Sequence, residues 1–68
     1  MNPKNVWYGV QYRGKSHGDN NIYRTIGYCK NVVTEEDMVI FADINTGNPV
    51  CDTVEHFLEN YELVSLYQ

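Results

Sequence analysis

The sequence predicts an α+β fold, mostly β: four to five short antiparallel strands forming a curved sheet or small barrel, with one short C-terminal helix at about 53–61. Three observations predict it. Apolar residues recur at period two in several short runs, turn-forming stretches separate the runs, and one segment alone carries a helical stripe. Residues 1–68 read as a single small domain, because a chain this short has room for one core and buries only about 60% of its unfolded surface. Most large apolar side chains are therefore needed inside, and function is expected on one outer surface.

Val6-Trp7-Tyr8-Gly9-Val10-Gln11-Tyr12 is rich in aromatic and β-branched residues and places Val6, Tyr8, Val10 and Tyr12 on one face, which predicts the first strand. Residues 14–21 are polar or glycine and predict an exposed loop too long for a two-residue hairpin. A second strand is predicted over 22–29, with Ile22, Arg24, Ile26 and Tyr28 on one face and Tyr23, Thr25, Gly27 and Cys29 on the other. Gly27 marks a bulge or a close backbone approach.

Thr34-Glu35-Glu36-Asp37 turns the chain into Met38-Val39-Ile40-Phe41-Ala42-Asp43, an apolar run short enough for a buried third strand. Asn45-Thr46-Gly47-Asn48-Pro49 is dense turn chemistry, after which 49–51 return as a short fourth strand. Asp52 is placed as a helix N-cap with Glu55 completing a capping box, and Val54, Phe57, Leu58 and Tyr61 follow at helical spacing. The strand-like tail over 62–67 is suited to pairing at an edge.

In this order, Tyr12-Arg13-Gly14, then Tyr23-Arg24-Thr25-Ile26-Gly27-Tyr28, then Thr34-Glu35-Glu36-Asp37-Met38-Val39-Ile40-Phe41, then residues 54–58 carry a resemblance. The chain resembles a family of small bacterial β-rich, SH3-like proteins of unknown function. Those have a Tyr-Lys-Gly-type opening, a Tyr-x-Val-x-Gly strand, an acidic turn into an apolar strand and a closing Phe-containing segment. The likeness covers about two thirds of the chain; the 14–21 loop is an insertion, and Val50-Cys51-Asp52-Thr53 stands where that family has Trp-Val-Arg-Pro. It implies a small SH3-like β fold and no activity, so no functional residue is carried over.

No apolar run approaches the roughly 20 residues of a membrane span, and Met1-Asn2-Pro3-Lys4 does not open a signal peptide. A cytoplasmic protein is expected, with Cys29 and Cys51 reduced and serving as small apolar side chains in or near the core. A chain of this kind is compatible with a phage or mobile-element origin.

Chemistry is sparse. His56 has no motif linking it to Cys29 or Cys51, and His17 with Asp19 reads as a solvated turn rather than a metal site. No enzyme activity, cofactor or metal is expected. The formal charge is -4, yet all five basic residues precede residue 31 and eight of the nine acids follow residue 34. Such asymmetry marks either a two-faced molecule or opposite charges brought together by interleaved strands.

The function expected is that of a small adaptor or inhibitor binding a protein partner. Its candidate surfaces are Trp7, Tyr8 and the 14–21 loop with Lys15 and His17, or an acidic helix face of Glu55, Glu59 and Glu62 at i, i+4 and i+7. The competing reading is a single-stranded nucleic-acid binder, because Trp7, Tyr8, Tyr12, Tyr23 and Tyr28 are interleaved with Arg13, Lys15 and Arg24. An acidic sequence pI near 4.8 weighs against it. No membrane partner is expected, and edge-strand pairing leaves a homodimer open.

Overall fold

The computed structural model describes residues 6–16 and 20–65. Five strands, β1 (Gln11–Gly14), β2 (Ile22–Lys30), β3 (Asp37–Asp43), β4 (Pro49–Thr53) and β5 (Tyr61–Ser65), and one helix, α1 (Val54–Asn60), follow in the order β1-β2-β3-β4-α1-β5. The strands make one antiparallel sheet in spatial order β4-β3-β2-β1-β5. The mostly β, α+β class is thus the one found.

The sheet is open, with β4 and β5 as its edges. A flat sheet of this order would hold those edges about 19 Å apart, at roughly 4.8 Å per strand. Yet Thr53 ends β4 and Tyr61 begins β5 with only α1 between them, a span of about 12 Å at 1.5 Å per helical residue. The sheet must therefore coil around the helix. The predicted curved sheet is realised, and it does not close on itself, because α1 lies between the edges and contacts β3, β4 and β5.

What α1 covers is the concave face. Phe57 is fully buried and its ring lies 4.8–4.9 Å from those of Tyr12, Phe41 and Tyr61, while Tyr23 meets Phe41 and Tyr61 edge-on. Val6, Val10 and Val39 complete the core, with Val54, Leu58 and Tyr8 packed at its margin. Val54, Phe57 and Leu58 of the predicted stripe pack from the helix, whereas Tyr61, predicted as its last helical member, is extended and packs from the start of β5. The N-cap of α1 is Thr53 rather than Asp52: the Thr53 hydroxyl accepts the His56 N–H at 3.2 Å, and Asp52, one residue too early, accepts the N–H of Thr53 itself.

The first strand is shorter than predicted. Gly9 adopts φ +76, which interrupts the extended chain, and the ladder proper begins at Gln11. Residues 6–10 nevertheless bury the predicted side chains, held by other means: the Trp7 N–H donates to the Tyr12 hydroxyl, and the Thr25 hydroxyl donates to the Trp7 and Val10 carbonyls. Gly9 and Val10 also bond to the backbone of Thr25.

β2 does carry an irregularity at the predicted place, a register shift between Thr25 and Gly27 against β3. A bulge explains it; a close approach does not, since a Cβ at Gly27 would meet nothing within 4 Å. The extra residue, Ile26, reverses the alternation beyond it. Tyr28 comes opposite Val39 and shares the core side with Tyr23 and Thr25, instead of the Arg24 side as predicted. Its ring lies 6.1 Å from that of Tyr8. The tail pairs at an edge as predicted, β5 aligning antiparallel with β1.

Candidate interaction surface

One helix can cover only one face of a five-stranded sheet. The other face is built from Gln11 and Arg13 of β1, Ile22, Arg24, Gly27 and Cys29 of β2, Met38, Ile40 and Ala42 of β3, and Pro49, Cys51 and Thr53 of β4, as the cross-strand pairs dictate. Antiparallel sheets with one solvated face usually alternate apolar inside with polar outside. Here the outward positions of β3 are apolar.

Ile26, pushed out by the bulge, is 57% exposed, and Ile44, just beyond β3, is 46% exposed. Ile40, Ala42, Met38 and Cys29 are half-buried, and Cys51 is exposed. Among the described residues neither α1 nor the 6–10 segment lies on this side, because both join the core cluster. At one end is a shallow depression of about 320 Å³, lined by Arg24, Ile26, Ala42, Asp43, Ile44 and Gly47.

Both cysteines are free and belong to this outer face rather than to the core as expected. They sit on β2 and β4 with β3 between them and are offset by two residues along it, so two strand spacings, about 10 Å, separate them at the least, too far for a disulfide. His56 is on the helix, its Nδ1 2.5 Å from Asp52 Oδ2, and the helix packs on the face of the sheet opposite to both cysteines. The Asp52 hydrogen bond, then its charge, raises the His56 pKa above 6.5.

The predicted binding residues are dispersed. Trp7 is 57% exposed, but Tyr8 is half-buried, its hydroxyl enclosed and without a hydrogen-bond partner among the described residues. Arg13 pairs with Glu62 at 2.8 Å, and Lys15 donates to the Leu58 carbonyl at 3.1 Å. His17 lies outside the described residues. Arg24 is exposed on the outer face with no ion pair among the described residues. Glu55 and Glu59 are exposed on α1, but Glu62 is in β5, because the helix stops at Asn60; the three do not form one helix face.

The charge asymmetry resolves locally in the same way: Arg13 with Glu62 and Lys30 with Asp37 join the basic half to the acidic half. A second open hollow, about 290 Å³, lies between Glu36, Asp37, Thr53, Val54, Glu55 and Leu58. No group of three or more His, Cys, Asp or Glu side chains gathers in metal-binding geometry among the described residues. Nor, among them, is any helix long and apolar enough to cross a membrane.

Sequence reasoning missed Ile26, Ile40 and Ala42. The signal was present in Met38-Val39-Ile40-Phe41-Ala42, a run apolar at both parities, which a strand with one wet face does not need. Comparison with protein families, curated proteins and solved structures finds no match.

Proposed function

We propose that this protein is a non-enzymatic, cytoplasmic binding module, an adaptor or inhibitor that holds a protein partner on the uncovered face of its sheet. The observation that carries the reading is the aliphatic set Ile26, Ile40, Ala42 and Ile44, the first and last exposed and the middle two half-buried, on a face with no described element over it. Contiguous exposed apolar surface on a small domain marks an interaction site, and burying it yields about 25 cal/mol per Å². Trp7 supplies a further exposed aromatic of the kind that dominates binding hot spots.

The nucleic-acid reading has less support. Stacking needs aromatic rings beside cations, whereas Tyr12 and Tyr23 are packed in the aromatic core and Arg13 and Arg24 project from the opposite face. Arg13 and Lys15 are also engaged by partners within the chain.

Affinity capture with wild type, Ile40→Lys and Trp7→Ala tests the proposal, provided each variant keeps the wild-type circular-dichroism spectrum. A bound protein lost with Ile40→Lys supports it. Full retention with Ile40→Lys removes the outer face from consideration, and loss with Trp7→Ala alone moves the contact to the aromatic segment.

A further inference from the structure

The depression at the end of the outer face has a built asymmetry. Ala42 stands directly opposite Arg24 in the β2–β3 register, and its short side chain leaves the floor low between Ile26 and Ile44. The bulge at Ile26 raises one wall. The other wall is fixed by backbone, since the Ile44 N–H donates to the Ile22 carbonyl at 3.0 Å and the Gly47 N–H to the Asp43 carbonyl at 2.7 Å. Its volume, about 320 Å³, is at the lower limit of ligand pockets, which gives room for a large side chain and part of its neighbour.

Charge names the neighbour of that side chain. Of the four described Arg and Lys residues, Arg13 is taken by Glu62, Lys30 by Asp37 and Lys15 by the Leu58 carbonyl, which leaves Arg24 without a partner among the described residues. The one carboxylate at the rim, Asp43, is turned into its own loop, where it accepts the Asn45 N–H at 2.7 Å. A guanidinium beside an aliphatic hollow suits a carboxylate next to an apolar side chain, since it offers a two-pronged donor that is weakly hydrated.

Resting on the proposed use of this face, we infer that the depression receives one large aliphatic side chain of a partner protein whose adjacent Asp or Glu pairs with Arg24. The rings that a nucleobase would stack on are on the other side of the sheet, so a peptide segment, not a nucleotide, is the occupant.

Panning a phage-displayed random peptide library against the immobilised protein tests this, followed by heteronuclear NMR titration with the best synthetic peptide. The expected outcome is enrichment of a large aliphatic residue beside Asp or Glu, with amide shifts concentrated at 24–26 and 42–47. Arg24→Glu should weaken that peptide by about tenfold or more and, when panned itself, select Lys or Arg in place of the acid. Ala42→Leu, which fills the hollow, should also abolish binding while leaving Arg24 in place. Unchanged affinity in Arg24→Glu with shifts around Ile40 and Cys51 overturns this inference but keeps the face. Shifts on the helix side, or no enriched peptide at all, overturn both. An oligonucleotide that shifts 24–26 and 42–47 overturns the peptide assignment.

Discussion

Two side chains show how burial and partners set chemistry residue by residue. The Tyr8 hydroxyl is enclosed without a hydrogen-bond partner among the described residues, and burial first, then the charges of Tyr28, Tyr12 and Asp37, raises its pKa above 10.0. An unmet buried hydroxyl is a cost that phenylalanine lacks. Tyr8→Phe is therefore expected to match wild type or to gain up to about 1 kcal/mol in urea unfolding; a clear loss would mean that the hydroxyl is bonded in solution. His56 differs, being exposed and beside Asp52. Because its folded pKa is raised, its contribution to stability is complete below 6.5, the ordinary value, and fades as pH rises through the raised one. NMR titration should give a midpoint above 6.5 that returns toward 6.5 in Asp52→Asn. An unshifted midpoint in wild type would break the pairing.

For single elements, α1 is the decisive one, since a seven-residue helix has little stability of its own and exists through Phe57. Phe57→Ala removes a fully buried ring from contact with Tyr12, Phe41 and Tyr61, a change that costs about 3–5 kcal/mol. A domain this small has about that much stability in total. Phe57→Ala should be unfolded at room temperature by circular dichroism, with Phe57→Leu folded and weakened by roughly 1–2 kcal/mol; a well-folded Phe57→Ala would displace the aromatic cluster from its central role. This helix was legible in the sequence because Val54, Phe57, Leu58 and Tyr61 follow the helical period, though the cap moved by one residue to the hydroxyl that reaches His56 N–H. Strand identity was legible too, but strand side was not. One inserted residue at Ile26 moved Tyr28 across the sheet, and period-two reasoning has no means of registering an insertion. The candidate surface escaped for a related reason: the β3 run is apolar on both faces, and no local pattern says which of them the helix will leave bare.

Taken whole, the molecule separates its tasks by face, with aromatic packing under the helix and an aliphatic exterior on the far side of the same strands. That division depends on the order β4-β3-β2-β1-β5, which mixes local and distant pairings. β2, β3 and β4 form successive hairpins, whereas β5 reaches β1 across 49 residues, the separation of Arg13 from Glu62. Loop closure grows costlier with length, so the hairpins and the Phe41 side of the core should form before β5 docks. The kinetic consequence is specific. Val39→Ala, buried in β3, should slow folding in proportion to most of its destabilisation, while Leu63→Ala, opposite Tyr12 in β5, should mainly speed unfolding. Stopped-flow chevrons of the two variants read this directly. Should Leu63→Ala instead slow folding by its full equilibrium effect, the distant β1–β5 pairing would belong to the nucleus, and the coiled sheet would close around the helix early rather than last.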